Sequence, residues 1–459
     1  MHLGRRARIL VLVFTLLGSS SVRAEQFEVI RAARLYSGPS TVDSRIRTLH
    51  PPEVVSREFA GETNNYVQVR TTQGEVGWVY GSFLAAVATP SQPGSAGPGG
   101  VTPTTGAFSD LPPLRNDQMR IHLINIGQGD SILLEFPCGV ALVDTGGESS
   151  TDYDSVGPLK AYLDAFFASR PDLNSTIELL VLSHPHIDHT RGAQMVSENY
   201  YLANLVDNGQ HRDDEGGRPQ IDMESWFQQN SDTLRYQAIS ASAVPANGLT
   251  SATIDPIGTC PASSIDPKIR VLWGQLDAGE SGASNPNNNS VVLRVDFGQF
   301  STLLTGDLQE EGIVGLLQKH SSSGALRDVD VYKVGHHGSK NATTAALVNA
   351  LSAKIALVSM GPYERARGLY IARRFAHPHH DAMALLEPGV SCKRAPVEEK
   401  IGVKGAYREK PAEWEDQTVT AGIFATGWDG NVILTSDDHG QMQIWTERRK
   451  FESGLQCNP

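Results

Sequence analysis

Leu182-Ser183-His184-Pro185-His186-Ile187-Asp188-His189 decides the reading of this chain. It closes Ile177–Leu182, a short apolar run of the kind that forms a buried strand. Three imidazoles and a carboxylate then fall within six positions, in a chain with only 14 histidines among 459 residues. Chance does not gather them so tightly. Neutral imidazole and carboxylate suit Zn²⁺ and, in related sites, Mn²⁺ or iron. His184 and His186 are two apart, so an extended backbone points them the same way. Asp188 and His189 enter the next turn and can face a second ion.

Three further pieces have the same form, a polar residue where an apolar strand ends. Val140–Val143 runs into Asp144, and Phe300–Leu304 into Thr305-Gly306-Asp307. Val329–Val334 runs into Gly335-His336-His337-Gly338-Ser339. Alone, an Asp after Gly is usually a turn residue. Together, in the order Asp, HxHxDH, Asp, His, the pieces are specific. Ile121–Ile126 and Ser131–Phe136 read as further strands, and Leu159–Phe167 as a helix. Strands alternating with helices predict a layered α/β fold.

A chain of 459 residues has room for two or three domains. Hydrophobic residues make up 40% and charged residues 20%, which excludes wholesale disorder and a multi-span membrane protein. The formal net charge of −12 excludes a basic coat for nucleic acid or anionic lipid, though not a local basic cleft. Cys138, Cys260, Cys392 and Cys457 lie far apart, which excludes a dense disulfide scaffold and argues against a cysteine zinc knuckle.

Arg5, Arg6 and Arg8 precede an apolar run, Ile9 to Leu17, and Val22-Arg23-Ala24 closes the segment. Residues 1–24 therefore read as a signal peptide cut after Ala24. The apolar run is far short of the ~20 residues of a spanning helix. No later stretch is apolar enough to span, so no transmembrane span is expected in the mature chain. The expected protein is exported, periplasmic or secreted. Its cysteines then meet an oxidant and can pair in three ways. Residues 25–87 read as a small all-β module, with Val67 and Val69 alternating against Gln68 and Arg70. Residues 88–113 read as a flexible linker, because 15 of the 20 residues from Ala88 to Ala107 are Pro, Gly, Ser or Thr. The main domain is expected over 114–440, with a C-terminal extension over 441–459.

The small module carries Ala33–Ser40, Tyr66-Val67-Gln68-Val69 and Gly74–Val79, and on these it resembles the bacterial SH3-like domain. That resemblance implies a small β-barrel and, as partner, a cell-wall peptide or glycan. Tyr36, Tyr66 and Trp78 either line a binding groove or fill a small core.

In the main domain the order of motifs resembles the metallo-β-lactamase-like hydrolases. Gly127–Ser131, Leu142–Gly147, Asn287–Leu293, Leu303–Asp307 and Gly335–Ser339 resemble the hydrolase branch of ComEC-type competence proteins. The match covers about Met119 to Asp437, with an unmatched stretch near Asp207 to Lys268. The resemblance implies a four-layered αββα sandwich preceded by the SH3-like barrel. It also implies metal-dependent phosphodiester cleavage, with DNA as a partner.

The resemblance further implies a site of two divalent metal ions, Zn²⁺ first and Mn²⁺ as the alternative. His184 and His186 match ligands of the first. Asp188, His189 and one of His336 or His337 match ligands of the second, with His337 favoured and His336 left for substrate. Asp307 matches the bridging carboxylate, and Asp144 a carboxylate behind the ligands that orients them. Where the wider family supplies another histidine, this chain has Asn287, Asn288 and Asn289. An amide oxygen is the poorer zinc ligand, so the first site is expected to be weaker. Two such ions generate hydroxide from water near neutral pH. Asp188, His336 and His377 are the catalytic candidates, His377 as proton donor to the leaving oxygen. Arg365, Arg367, Arg373 and Arg374 either hold phosphate or form a solvated face. The expected function is an exported metal-dependent phosphodiesterase or nuclease. The alternatives are a small-molecule hydrolase of lactones, lactams or thioesters, and a cell-wall-binding protein led by the SH3-like module.

Overall fold

The alternating pattern of Tyr66–Thr71 is obeyed in the computed structural model, where Val67 and Val69 are buried and Arg70 is exposed. The structure describes residues 26–86 and 108–457, apart from 30–32, 40–43, 50–52, 64–65, 81–83, 109, 151–152, 366–367, 369 and 406–411. The expected signal peptide, most of the expected linker and Arg367 lie outside the described residues. The chain divides into two compact units, 1–98 and 99–459.

The first unit is one antiparallel sheet of seven strands. They are β1 (Gln26–Val29), β2 (Ala33–Tyr36), β3 (Arg45–Leu49), β4 (Val54–Thr63), β5 (Tyr66–Thr71), β6 (Val76–Tyr80) and β7 (Leu84–Ala86). Their order in space is β3-β2-β6-β5-β4-β1-β7. Val29, Leu35, Leu49, Val55, Val69 and Val79 form its core. Gly77 sits where a Cβ would come within 2.7 Å of the Tyr36 carbonyl, so only glycine lets β6 lie against β2. Tyr36 and Tyr66 are buried, pack edge to face at 6.0 Å, and carry a half-buried Trp78 against them. The two tyrosines therefore fill a small core of their own.

The second unit has two mixed sheets. The larger takes β8 (Gln118–Leu123), β9 (Ile132–Phe136), β10 (Gly139–Val143), β11 (Thr176–Val181), β12 (Tyr201–Asp207) and β13 (Arg235–Ala238). The smaller takes β14 (Lys268–Trp273), β15 (Val292–Phe297), β16 (Phe300–Leu304), β17 (Val331–Lys333) and β18 (Ile355–Val358). A separate hairpin joins β19 (Lys393–Lys404) to β20 (Glu413–Ala421), and β21 (Ile423–Ala425) returns to the smaller sheet. Then β22 (Val432–Asp437), β23 (Met442–Thr446) and β24 (Lys450–Phe451) complete the larger sheet.

One core takes side chains from both sheets, among them Ile121, Leu134 and Val181 from the larger and Val271, Val295 and Leu357 from the smaller. Strand period two sends the alternate residues outward, where helices cover them. Leu133, Leu142 and Leu180 meet helices Val156–Ser169 and Ala193–Asn199. Leu303, Tyr332 and Ala356 meet helices Glu310–Lys319 and Ala345–Leu351. In each sheet an antiparallel pair leads into parallel strands, β10-β11-β12-β13 in one and β16-β17-β18-β21 in the other.

The four cysteines pair as Cys138–Cys260 and Cys392–Cys457. The first bridge ties the β9–β10 turn to the stretch without motifs. The second ties the chain end to β19. The segment 441–459, expected as an extension, instead supplies β23 and β24. Strand β23 holds Ile444 and Trp445 in the core, and that burial keeps it on the sheet. Among the described residues no helix is long and apolar enough to cross a membrane.

Candidate metal centre

Each metal-ligand candidate, and Asp144 behind them, lies just past the carboxyl end of a parallel strand. Asp144 follows β10, His184 to His189 follow β11, Asp307 follows β16, and His336 and His337 follow β17. Loops at such strand ends converge, and the two sheets bring theirs to one place.

The centre of that place is Asp307. Its Oδ2 lies 3.2 Å from Nε2 of His189, 3.8 Å from that of His184, and 3.7 Å from those of His336 and His337. Asp188 Oδ2 is 3.4 Å from His337 Nε2. Nε2 of His184 and Nδ1 of His186 face each other at 3.0 Å, a contact that needs a proton or a cation between them. Behind the rings, Asp144 Oδ2 accepts from His189 Nδ1 at 2.7 Å, and its carboxylate also takes the Ser183 N–H and hydroxyl, each at 2.7 Å. Three of these residues hold a left-handed backbone although none is glycine: Asp144 at φ 59°, His336 at 47° and His337 at 55°. Strain of this kind persists only where surrounding contacts enforce it, and it gathers at functional sites. Gly146 has the converse role. A Cβ there would lie 1.9 Å from the Asp188 carbonyl group, so the HxHxDH turn rests directly on it.

The charges show what the cluster lacks. Burial opposes ionisation of Asp307, but His189, His336 and His337 hold its carboxyl well below the usual range. Burial likewise opposes protonation of His337 and His189. The Asp307 carboxylate outweighs it in both, pushing His337 up to about 10 with help from Asp130 and Asp188, and His189 well above its usual value with help from Asp144. Asp307 Oδ1, His189 Nε2, His337 Nε2 and Asn287 Oδ1 are buried without a hydrogen-bond partner. Buried acceptors left unpaired are costly, and carboxylates that draw protons onto imidazoles will take a divalent cation in their place. Asp188, His189, Asp307 and His337 each bring one ligand atom, all within 4.8 Å of one another, and could hold such an ion. The residues fit the group.

A cavity of about 390 Å³ opens on this cluster. His186, Asp188, Asp307, His336, His337 and His377 face it, and Arg212, Asn287, Tyr370 and Phe375 line its sides. His377, expected near a leaving group, is there. Burial, then His336 and His337, hold it well below the usual imidazole range, so it is neutral.

The arginines are mostly engaged elsewhere. Arg365 bonds the buried Glu148 at 2.6 Å and stacks over Tyr153, and Arg373 lies over Tyr363. Arg212 is on the cavity wall, in the stretch without motifs, where sequence gave no signal, and it is paired there with Asp214. His379 caps the following helix by accepting from the Asp381 N–H, a structural role. Asp130 and Lys333 were also missed. They form a buried ion pair at 2.7 Å beside His337. A signal did exist, since a lysine inside the apolar strand Val331–Lys333 must find a partner.

Residues 124–361 match the model of the metallo-beta-lactamase superfamily. The chain is 26% identical over 299 residues to ComE operon protein 3 of Bacillus subtilis, covering 63% of this chain and 33% of that protein. It is 26% identical over 243 residues to Recombination protein 2 of Haemophilus influenzae, covering 53% and 24%. It is 22% identical over 254 residues to protein YcaI of Escherichia coli, covering 54% and 26%. The chain thus spans about a third or less of the curated relatives it matches.

Proposed function

Because the chain belongs to the metallo-beta-lactamase superfamily, we propose that it is an exported hydrolase of phosphodiesters that works with two divalent cations. The observation that carries this reading is the convergence of histidines from both sheets on one buried carboxylate, Asp307. His184 Nε2, His186 Nδ1 and Asp307 would hold the first ion, with Asn287, its Oδ1 unpartnered, on the wall of the same cavity. Asp188, His189, His337 and Asp307 would hold the second. The amide in place of an imidazole leaves the first site weaker, and zinc or manganese suits both sets.

When bound, such a pair would supply an activated water near neutral pH and offset charge developing on the substrate. The protein's own groups do the rest. Asp144 and the Ser359 carbonyl, which bonds His337 Nδ1 at 2.9 Å, orient the ligand rings. His377 and His336 face the cavity as neutral imidazoles and can give a proton or hydrogen bond to a substrate oxygen. Arg212, held on the wall by Asp214, would have to share its guanidinium with a phosphate, and Phe375, 41% exposed at the cavity wall, supplies a face on which a base can stack. A nucleic acid strand is in keeping with a relative named for recombination. Export is supported by both disulfides, which call for an oxidising compartment. The first unit is proposed to be an SH3-like barrel that takes a cell-wall peptide or glycan.

The test is metal content after purification, with turnover of bis(p-nitrophenyl) phosphate and of a lactone measured in parallel. About two ions per chain and phosphodiester turnover abolished by chelator are expected. Lactone turnover without phosphodiester turnover would replace the substrate class. A panel of single-stranded DNA, duplex DNA and RNA then identifies the polymer.

A further inference from the structure

His336 and His337 stand at the same distance from Asp307 Oδ2, 3.7 Å each, so proximity does not separate them. What each ring meets on its far side does. An imidazole can bind a cation only through a nitrogen that carries no proton, and its other nitrogen decides which one that is. His189 gives its Nδ1 proton to Asp144, and His337 gives its own to the Ser359 carbonyl, an oxygen that can only accept. In His184, Nδ1 meets the Ser183 hydroxyl at 3.1 Å, whose proton goes to Asp144. In all three the Nε2 lone pair is left facing the site.

Two rings reverse this arrangement. Nδ1 of His377 lies 3.1 Å from Nε2 of Gln128, and Nδ1 of His336 lies 2.9 Å from Nε2 of Gln309. Neither amide can turn over. Gln128 Oε1 takes the backbone N–H of Gly361 at 3.3 Å, and a backbone N–H only donates. Gln309 Oε1 takes Nδ2 of Asn285 at 2.9 Å, and Asn285 Oδ1 in turn takes the backbone N–H of Asn287 at 3.2 Å. Both relays therefore start at a backbone donor and end by donating to Nδ1. The proton of each neutral ring must then sit on Nε2. The two rings are 5.4 Å apart, and both line the cavity.

We propose that Gln128 and Gln309 are positioning residues that lock His377 and His336 as Nε2–H tautomers, making them a pair of neutral hydrogen-bond donors to the substrate and excluding both as metal ligands. The proposal rests on the phosphodiesterase reading for the identity of that substrate. A phosphodiester presents non-bridging oxygens that gain charge and a leaving oxygen that needs a proton. A fixed donor pair aimed at them stabilises the transition state without reorganising.

The test begins with the zinc-loaded protein labelled with ¹⁵N in histidine. Long-range ¹H–¹⁵N spectra read the protonated nitrogen of each ring, with His336→Ala and His377→Ala supplying the assignments. Nε2–H is expected for His336 and His377, and Nδ1–H for His189 and His337. Gln128→Glu offers a carboxylate of the same size that accepts from Nδ1, so the His377 proton should move to Nδ1. Its kcat on bis(p-nitrophenyl) phosphate should fall roughly 10²-fold, within the range for loss of a positioned donor, with zinc content unchanged and KM within about twofold. Gln309→Glu should do the same to His336, and Gln128→Met, which cannot donate, should free the His377 tautomer without adding charge. Nδ1–H on either ring of the native protein, or zinc lost from the glutamate variants while they stay folded, would overturn the proposal. If the native protein turned over no phosphodiester yet showed both Nε2–H rings, the relay would stand and the substrate assignment alone would fall.

Discussion

Asp144 and His189 are joined by a 2.7 Å hydrogen bond from Nδ1 to Oδ2, and both are buried. The carboxylate thereby turns the other nitrogen of His189 toward Asp307 and raises the basicity of the ring. Asn is the replacement of choice for Asp144, because it tolerates the left-handed backbone at φ 59° and removes only the charge. Asp144→Asn should weaken metal binding by about 10–100-fold while the protein stays folded. Competition with a chromophoric chelator measures it, and unchanged affinity would remove Asp144 from the centre.

Asp307→Asn should lose metal and activity together, because in the proposed centre one side chain serves both ions. His377→Ala should keep its metal and lose rate by about 10²–10⁴. Metal stoichiometry beside phosphodiesterase rate separates the two. A fully metallated, active Asp307→Asn protein would refute the shared-ligand assignment.

The first unit should be dispensable for turnover of a small soluble substrate. Phe108 sets where to cut: its ring packs at 5.2 Å on Tyr162 and 6.0 Å on Phe166, inside the second unit. A chain starting at Phe108 should keep native kcat on bis(p-nitrophenyl) phosphate. One starting at Ser109 gives up that contact and should melt at a lower temperature. Loss of turnover from the longer chain with its fold intact would mean that the first unit contributes to the site.

Away from the metal centre, Glu135 is buried among His122, Arg120 and Arg170. Burial opposes its ionisation, but the His122 hydrogen bond and the two arginines hold it down at about 2. Its unfolded value is about 4.3. A carboxyl depressed on folding stabilises the protein above the unfolded value, and that contribution is lost as pH falls towards the folded one. Glu135→Gln leaves the buried Arg120 without its carboxylate and the half-buried Arg170 with Asp172 alone, and should cost about 3–5 kcal/mol near neutral pH. The gap to the native protein should narrow between about pH 4.5 and 2. Urea titrations across that range check it, and a gap independent of pH would mean that the carboxylate charge does not carry the effect.

The metal-centre candidates were legible because their signals are local. Each is a polar residue at the end of an apolar strand, and a strand end shows in the sequence as a break in hydrophobic pattern. The order Asp144, His184 to His189, Asp307, His337 therefore announced the fold and the chemistry together. The resemblance it carried extended to the family of residues 124–361. The cysteines gave the number of bridges but not the pairing, since Cys138 and Cys260 are 122 residues apart.

The division of labour among the histidines belongs to the tertiary structure alone. His337 is turned by a backbone carbonyl 22 residues away, His336 by an amide 27 away and His377 by one 249 away. Arg212 reaches the cavity from a stretch with no motif, and Arg365 is drawn off it by Glu148, 217 residues distant. Residue type and order say which side chains can bind a cation. Whether a given imidazole offers a lone pair or a proton depends on what stands behind it, and that neighbour is brought there only by the tertiary fold.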